Sequence, residues 1–383
     1  MASQKLNQRV GILGGGQLGK MLLEAGSKMC LDLHTMDTDT EAPCAKIFKN
    51  FTLGNIKDEK DVLAFAQDKD IITIEIENVN IKALEILEGQ GKKVFPQPSV
   101  LRTITDKGLQ KQFYKDTGIP TSSFMLFDDK SQILDNIKNG NIQIPFVQKS
   151  RKDGYDGKGV HVVRDDRDLL ELMDVACVIE NLVDIYKELA VIVVRKSDGT
   201  MVTFPIVEMQ FHATANLVEY LFSPSSVDAD VATQADTIAR HVASALGVVG
   251  LLAVELFLDK NGNILVNEVA PRPHNSGHHT IEGCDLSQYD MHLRAILDLP
   301  IPTPHLKSPA VMINLLGEDG YTGPAVYTGV DQVLSLSEVY INLYGKSITK
   351  PYRKMGHVTI LGTTLKEAKE KAEIVQQNLK VIA

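Results

Sequence analysis

Residues 254–269 are VELFLDKNGNILVNEV, two apolar runs joined by a short polar segment. An Asn-Gly pair between apolar runs is the strongest short-range signal for a β-hairpin. With this pair as a two-residue loop, Leu258 lies opposite Leu265. The same register places Glu255 opposite Glu268. The stretch therefore predicts an antiparallel hairpin in which two glutamates face each other.

The facing glutamates predict a metal site. Like charges directly opposite each other destabilise a sheet, and a buried carboxylate needs a partner. The other residues predicted for this face are apolar: Ala253, Phe257, Ile264 and Val266. A divalent cation would neutralise Glu255 and Glu268, with Asn267 as a further oxygen donor, and oxygen ligands favour Mg²⁺ or Mn²⁺. A register shifted by one residue, which turns one glutamate to solvent, is the alternative.

A glycine-rich segment, RKDGYDGKGV at residues 151–160, lies between strands predicted over 144–150 and 160–163. Its glycines and lysines can close backbone N–H groups and ammonium groups over a polyphosphate. A Walker A loop is excluded, because Gly157-Lys158 is followed by Gly159 and a strand rather than by Ser or Thr and a helix. The alternative is a solvated hairpin tip.

A second glycine loop, GGGQLG at residues 14–19, lies between a strand predicted over 9–13 and a helix over 17–28. With Asp37 after the next predicted strand, it matches the dinucleotide-binding pattern. The physical requirement is only a phosphate near a helix N-terminus. A dinucleotide, another phosphorylated ligand and a turn without a ligand therefore all remain open.

PRPHNSGHH follows the hairpin directly, at residues 271–279. The spacing of His274 and His278 would suit zinc on a helix, but the intervening Gly277 and the preceding proline disfavour a helix there. We interpret the segment as the wall of a polar pocket in which Arg272 binds an anion. Hydrogen bonds that serve only local turns are the alternative.

Periodicity along the chain predicts a mixed α/β and α+β protein in three parts. Alternating strands and helices, including a strand over 71–77 and a helix over 81–88, indicate a doubly wound domain at 1–106. Paired strands around a helix over 229–246 indicate an antiparallel α+β body at 107–299. Four prolines between 300 and 309 introduce a last part, 300–383, with short strands and a charged helix.

Composition limits the possible partners. The 383 residues carry 40 Lys and Arg against 49 Asp and Glu, a net charge of -9, so no broad basic surface is available for nucleic acid or anionic membranes. The longest apolar run, 248–254, is far shorter than the roughly 20 residues of a membrane span. The four cysteines form no CxxC pair, and residues 1–10 lack the apolar stretch of a signal peptide. We expect a cytoplasmic protein that acts on small molecules.

Taken together, the motifs resemble one family over nearly the whole chain. The sequence is similar to the ATP-grasp superfamily and, within it, to the 5-(carboxyamino)imidazole ribonucleotide synthetases of purine biosynthesis. The residues that carry the resemblance are GGGQLGKM at 14–21, VFP at 94–96, residues 106–113, GYDGKG at 154–159, VNEVAPR at 266–272, HNSGH at 274–278 and HLRA at 292–295. The resemblance implies an ATP-grasp fold with a preceding α/β domain and a small C-terminal domain rich in strands.

The activity implied by the resemblance is the ATP-dependent carboxylation of 5-aminoimidazole ribonucleotide by bicarbonate. ADP and phosphate are released, and carboxyphosphate is the expected intermediate. Mg²⁺ or Mn²⁺ would accompany ATP, and homodimers are common in the family. Another ATP-grasp ligase, using formate or resembling biotin carboxylase, would share the ATP site. An NAD-dependent oxidoreductase would use the first glycine loop and leave the glutamate pair unexplained.

Residues for ATP are implied by the same resemblance. Lys107 and Lys149 are expected to contact the phosphates, and Glu188 the ribose hydroxyls. The loop expected to cover the phosphates consists of Gly154, Tyr155, Asp156, Gly157, Lys158, Gly159 and Val160. The backbone expected to contact adenine consists of Glu180, Asn181, Leu182 and Val183. The metal ligands are again Glu255 and Glu268, beside Asn267, in agreement with the hairpin.

Residues for the acceptor are implied in the same way. The ribonucleotide phosphate is expected near Gln17 and Leu18. The imidazole and bicarbonate are expected among Glu77, Tyr155, Asp156, Lys158, Arg272, His274 and Lys354, with Asn275, Ser276 and Arg353 as further substrate contacts. Catalytic roles fall to Tyr155, Asp156, Lys158, Arg272, His274 and Lys354, with Tyr155 or Asp156 as the proton relay. One departure from the family pattern, Met209 after Glu208 with the next histidine one place late, puts a nucleotide role for His212 in doubt.

Overall fold

The computed structural model describes residues 4–152, 154, 159–211 and 218–383. Four residues predicted for the phosphate-covering loop, 155–158, lie outside this description, as does His212. Within the described ranges, none of the helices combines the length and the apolar character that crossing a membrane requires.

The N-terminal part is a doubly wound α/β unit, as the sequence predicts. Its strands are β1 (Arg9–Leu13), β2 (Asp32–Asp37), β3 (Phe51–Leu53), β4 (Ile71–Ile74) and β5 (Lys93–Phe95), and its helices are α1 (Gln17–Ser27), α2 (Glu59–Ala66), α3 (Ile81–Gly89) and α4 (Pro98–Ile104). The five strands are parallel, in the order β3-β2-β1-β4-β5. The strand predicted over 71–77 ends at Ile74, where the side chain of Glu75 turns toward the loop before α1.

A small antiparallel sheet follows. Its strands are β6 (Phe124–Phe127), β7 (Phe146–Ser150), β8 (Val160–Val163) and β9 (Cys177–Asn181), in the order β6-β9-β7-β8, with helices α5 (Lys107–Asp116) and α6 (Lys130–Lys138). The strands β7 and β8 pair with Lys149 opposite Val160. The glycine-rich segment therefore connects two neighbouring antiparallel strands, as predicted.

A long antiparallel sheet is the main element of the rest of the molecule. Its central strands are β10 (Ile185–Arg195), β11 (Met201–Thr203), β12 (Val207–Phe211), β13 (Val218–Ser223), β14 (Gly250–Asp259) and β15 (Ile264–Ala270), with helices α7 (Ala229–Leu246), α8 (Thr280–Gly283) and α9 (Gln288–Ile296). Helix α7 has the predicted bounds. It buries Ala235, Ala239 and Val242 against the β14 side chains Leu252 and Val254.

The C-terminal part continues this sheet. Its elements are β16 (Ala310–Leu316), β17 (Gly323–Pro324), β18 (Val326–Thr328), α10 (Val330–Leu334), β19 (Val339–Leu343), β20 (Ile348–Thr349), β21 (Lys354–Leu361), α11 (Leu365–Asn378) and β22 (Lys380–Ile382). The sheet order is β15-β14-β10-β12-β13-β16-β21-β19, and β11 pairs with β10. Strands on both sides of the proline-rich segment thus share one sheet through the pairing of β13 with β16.

The β14–β15 hairpin has the predicted pair of glutamates but not the predicted loop. Leu258 pairs with Ile264 rather than with Leu265, because Asp259 accepts hydrogen bonds from the backbone of the turn and five residues separate the paired positions. A β-bulge that contains Asn267 then shifts the register, so Glu255 does lie opposite Glu268.

Because of the bulge, the residues that share a face with the two glutamates differ from those predicted. Ile264 and Val266 were expected beside the glutamates, but they pack with Leu256 and Leu258 in the core under α7. The reason is that one extra residue in a strand moves the side chains beyond it to the opposite face.

Candidate active site

Three carboxylates share one face of the long sheet. Ala190 of β10 lies opposite Glu255 of β14, and Glu188 stands two residues before Ala190, so Glu188 is on the same face. Burial, with Glu268 and Glu188 nearby, raises the pKa of Glu255 to about 8. Burial likewise raises the pKa of Glu188 to about 7. A face that disfavours ionised carboxylates in this way calls for a cation.

The donor set fits Mg²⁺. The hairpin supplies the carboxylates of Glu255 and Glu268, and the bulge supplies the amide oxygen of Asn267, which accepts a hydrogen bond from Lys149. Mg²⁺ in nucleotide sites is typically held by one or two carboxylates together with substrate phosphates. The metal ligands predicted from the hairpin are therefore brought together, and their chemistry suits the predicted ion.

Two predicted phosphate-binding lysines meet the hairpin. Lys107 begins α5, and its Nζ lies 2.6 Å from Glu268 Oε2. This neighbouring charge lowers the pKa of Glu268 to about 2. Lys149 lies near the end of β7, with its Nζ 2.9 Å from Asn267 Oδ1 and 3.0 Å from Glu180 Oε1. Both lysines thus border the candidate metal ligands.

An ion pair that was not predicted from the sequence joins the elements that carry these lysines. Arg151 binds Asp106 through two parallel hydrogen bonds, Nε to Oδ1 and Nη2 to Oδ2, both 2.8 Å. The same carboxylate caps α5 by accepting from Gly108 N at 2.8 Å. The backbone N–H of Lys107 donates to the carbonyl of Arg151 at 2.9 Å. An aspartate before a helix is a common capping residue, but nothing in the sequence indicates its arginine partner.

The predicted adenine segment contains a buried carboxylate. Glu180 is 3% exposed, and its side chain lies between Lys111 and Lys149. Burial opposes ionisation, but the two lysines outweigh it and lower the pKa of Glu180 to about 2. Lys111 was missed, because nothing in the sequence distinguishes a buried lysine from an exposed one. The following residues, 181–183, lead from β9 into β10, and their contact with adenine stays a prediction.

The acceptor wall is built from the segment after β15. Arg272 Nε donates to Glu77 Oε2 at 2.8 Å, which brings two predicted substrate residues together. His274 Nε2 lies 3.5 Å from Glu255 Oε1, and His274 Nδ1 lies 2.9 Å from Ser276 Oγ. The wall therefore adjoins the candidate metal ligands.

Three other predicted substrate residues have different surroundings. Ser276 is 1% exposed and contacts His274. The side-chain amide of Asn275 exchanges hydrogen bonds with that of Asn314, at 2.7 and 3.0 Å. Arg353 is partly buried and donates to the carbonyl of Ile348 at 2.7 Å. Their contacts with a substrate stay predictions.

The histidine spacing that would suit zinc does not lie on an α-helix. Residues 275–277 form a 3-10 turn capped by His274. His278 is 1% exposed, accepts or donates at Nδ1 with the hydroxyl of Tyr289 at 3.1 Å, and stacks on His357 with ring centroids 4.6 Å apart. The two histidines thus occupy different surroundings.

The backbone N–H groups of the first glycine loop bind carboxyl groups of the protein itself. The Glu75 carboxylate accepts from Gly16 N and Gly19 N, both at 2.7 Å, and Asp37 Oδ2 accepts from Gly15 N at 2.8 Å. These N–H groups are those a dinucleotide pyrophosphate would use, and Asp37 would have been its ribose ligand. The dinucleotide interpretation is therefore wrong. In the described part of the chain, no acceptor is found for the backbone N–H groups of Gln17 and Leu18, which lie in the first turn of α1, where a helix can bind a phosphate.

Family models match all three parts of the chain. The ribonucleotide synthetase preATP-grasp domain matches residues 7–105, and the ATP-grasp domain matches residues 112–289. The phosphoribosylaminoimidazole carboxylase C-terminal domain matches residues 310–371.

Two curated relatives illustrate the similarity. The N5-carboxyaminoimidazole ribonucleotide synthase of Bacillus subtilis is 34% identical over 357 residues, which are 92% of this chain and 91% of the relative. The chloroplastic phosphoribosylaminoimidazole carboxylase of Vigna aconitifolia is 37% identical over 365 residues, 93% of this chain. The chain spans 64% of the length of this plant relative.

Solved structures extend the similarity to the fold. The N5-carboxyaminoimidazole ribonucleotide synthetase of Thermotoga maritima has a TM-score of 0.90 and 36% identity, over 98% of this chain and 99% of that chain. The Aspergillus clavatus synthase, in complex with ADP and 5-aminoimidazole ribonucleotide, has a TM-score of 0.88 and 31% identity, over 97% and 98%. The chain therefore belongs to the N5-carboxyaminoimidazole ribonucleotide synthase family of ATP-grasp enzymes.

Proposed function

We propose that this chain joins bicarbonate to the amino group of 5-aminoimidazole ribonucleotide at the expense of ATP, in purine biosynthesis. The observation that carries the proposal is the convergence of Lys107 and Lys149 on the hairpin that bears Glu255 and Glu268, beside the wall that bears Arg272. The ligands of the Aspergillus clavatus relative, ADP and 5-aminoimidazole ribonucleotide, support the same pair of substrates.

The chemistry requires activation, because bicarbonate is a poor electrophile. A bicarbonate oxygen attacks the γ-phosphorus of ATP, and ADP leaves. The ribonucleotide amine then attacks the carboxyl carbon of carboxyphosphate; the C–N bond forms, inorganic phosphate leaves, and the attacking nitrogen loses a proton. In the first step the protein positions the reactants and stabilises the developing charge, because phosphoryl transfer requires no covalent bond to the protein.

Residue roles follow from position. Lys107 and Lys149 would bind the ATP phosphates. Glu255 and Glu268, with Asn267 beside them, would hold Mg²⁺ or Mn²⁺, which neutralises phosphate charge when bound. Other predicted ATP contacts are the backbone over 180–183 for adenine, Glu188 for the ribose, and the glycine-rich loop over 154–160 for the phosphates.

The acceptor side is assigned in the same way. Arg272 and Lys354 would stabilise the oxygens of bicarbonate and carboxyphosphate, and His274 would donate a hydrogen bond there. Gln17 and Leu18 would bind the ribonucleotide phosphate, with Glu77 near the imidazole. Roles for Tyr155, Asp156 and Lys158 fall on the segment outside the described residues.

The remaining parts of the proposal come from the family and the composition. We further propose three parts at 1–106, 107–299 and 300–383, a homodimeric assembly and a cytoplasmic location. Small molecules would be the only substrates, without nucleic acid or membrane partners.

The test is ADP release from Mg²⁺-ATP, with the ribonucleotide and bicarbonate each supplied or rigorously removed. The proposal predicts release that requires both, and no replacement of bicarbonate by formate. Release with formate would support the alternative ligase. Release with the ribonucleotide regardless of bicarbonate would mean a different acceptor chemistry.

A further inference from the structure

Lys111 is a buried lysine at the side of the proposed ATP site. It lies one turn after Lys107 on α5 and is 2% exposed. Its Nζ donates to Thr121 Oγ1 at 2.6 Å and to Ser122 Oγ at 3.1 Å, and it lies 2.9 Å from Glu180 Oε2. An ammonium group has three protons, so these contacts use all of them. Lys111 is therefore held inside the protein and does not extend toward a ligand.

Glu180 is shared between this lysine and the proposed phosphate lysine. Its Oε1 lies 3.0 Å from Lys149 Nζ, while its Oε2 faces Lys111. Lys149 in turn contacts Asn267 beside the candidate metal ligands. A continuous chain of charge-assisted contacts thus runs from the interior face of α5 to the hairpin.

The charge balance of this series of contacts depends on Lys111. With both lysines present, two positive charges surround one carboxylate, and the group carries a net positive charge toward the polyphosphate. Without Lys111, the buried carboxylate of Glu180 would have one cationic partner, and Lys149 would be held in a neutral pair. A buried carboxylate that is left with a single cationic partner holds that partner strongly, because water cannot solvate the buried charge.

We propose that Lys111 is a positioning residue for ATP, which binds one oxygen of Glu180 so that Lys149 keeps its charge available for the phosphates. The inference deepens the proposed function and rests on the use of ATP by this chain. Lys111 itself does not touch ATP.

The test compares two partners of the same ion pair. Lys111→Met keeps the length of the side chain and removes its charge. We expect the Kd for ATP, measured by calorimetric titration, to rise about tenfold, with the KM for the ribonucleotide unchanged and kcat within about threefold. Lys115→Met, an exposed lysine one turn further along α5, is the matched control and should leave the Kd unchanged.

The variant Glu180→Gln is expected to change the Kd for ATP in the opposite direction. It keeps the backbone proposed to contact adenine but removes the carboxylate that competes for Lys149, so the Kd for ATP should fall about threefold. If the ion pair between Lys111 and Glu180 had only a structural role, the loss of either residue would weaken ATP binding to the same extent. If Lys111→Met does not fold, as judged by thermal unfolding, the direction of the Glu180→Gln change decides.

The outcomes separate this inference from the function on which it rests. Failure of the parent chain to bind ATP would overturn both. ATP binding by the parent with an unchanged Kd in Lys111→Met, or with equal rises in Lys111→Met and Glu180→Gln, would overturn the role of Lys111 alone.

Discussion

At the scale of single residues, the hydrogen bonds of His274 define its tautomer. The backbone N–H of Ser276 donates to Nδ1 at 3.3 Å, so Nδ1 is an acceptor. The ring proton of the neutral imidazole is then on Nε2, which faces Glu255 at 3.5 Å. His274 is thereby prepared to donate a hydrogen bond into the site rather than to remove a proton.

This tautomer gives a prediction for two substitutions. The amide N–H of Gln can replace Nε2–H, whereas the shorter Asn replaces Nδ1. We expect His274→Gln to retain kcat/KM within about tenfold and His274→Asn to lose about a hundredfold. Steady-state rates of the two variants check this. Equal losses in both would indicate a proton-transfer role instead.

Arg272 and Lys354 give a second prediction at this scale. Arg272→Met and Lys354→Met remove charges proposed to stabilise the carboxyl and phosphate oxygens, so kcat should fall by about a hundredfold or more while ATP binding persists. Rates and ATP titrations measure the two quantities separately. Lys350→Met, an exposed position nearby, is the control. Near-normal turnover in both variants would remove these residues from the mechanism.

The site residues that could be predicted from the sequence are those whose spacing along the chain indicates their chemical role. Glu255 and Glu268 were predicted because the register set by the Asn-Gly turn places them opposite each other. Lys111 and Glu75 were not, because each acts through burial against a segment distant in the chain. A single sequence carries no local mark of such tertiary contacts.

At the scale of elements, the pairing of Glu255 with Glu268 was predicted correctly, although the loop length and the regular register of the β14–β15 hairpin were not. The Asn-Gly signal indicated the turn but not its length, since the side chain of Asp259 stabilises a longer loop. The bulge at Asn267 adds one residue and restores the pairing of the glutamates. The bulge also presents Asn267 to Lys149, so the irregular element is part of the site.

The turn before α1 gives a prediction about stability. A Cβ at Gly16 would lie 2.5 Å from Glu75 Oε1, which accepts the Gly16 N–H. We expect Gly16→Ala to lower the free energy of unfolding by about 2 kcal/mol or more, because the buried carboxylate must shift or lose its donors. Urea unfolding measures the change. Gly89→Ala, where an added Cβ meets nothing within 4 Å, should leave stability unchanged or increase it. Equal effects in the two variants would contradict the account.

At the scale of the whole molecule, buried neutral histidines connect the N-terminal, central and C-terminal parts. Burial lowers the pKa of His292 and of His279 to about 4, and that of His357 to about 3, from 6.5. His292 contacts Thr73 of β4 and the backbone of Leu251 in β14. Protonation of these groups therefore opposes the packing of one part on another.

The sign of the resulting pH dependence follows from proton binding. Between pH 6.5 and 4 the unfolded chain binds a proton at each of these positions and the folded chain does not. The contribution of each histidine to the free energy of unfolding is thus fully present above pH 6.5. As the pH is lowered from there, it decreases by about 1.4 kcal/mol per pH unit. Glu255 and Glu188, whose pKa values are raised in the folded chain, titrate in the same range and contribute a slope of the opposite sign. Unfolding midpoints between about pH 7 and 5 therefore check the histidine slope as a difference between the parent and a histidine variant.

A pair of variants isolates one histidine. His292→Gln should reduce the pH dependence by about one proton. His305→Gln, at an exposed position, should leave it unchanged. Identical slopes in the parent and in His292→Gln would contradict the assignment.

The architecture was predictable to different degrees along the chain. The doubly wound unit follows from local alternation, and helix α7 from its periodicity. The continuity of the long sheet across the proline-rich segment did not follow, because β13 and β16 are paired although about ninety residues apart in sequence. Such non-local pairing is decided by the folded whole.

The most direct test of the central claim is transfer of oxygen from bicarbonate to phosphate. The chain would be incubated with Mg²⁺-ATP, 5-aminoimidazole ribonucleotide and ¹⁸O-labelled bicarbonate, and the inorganic phosphate analysed by mass spectrometry. Attack of bicarbonate on the γ-phosphorus predicts one labelled oxygen in each phosphate released. ADP release with unlabelled phosphate would contradict the account, since water or another acceptor would then have received the phosphoryl group.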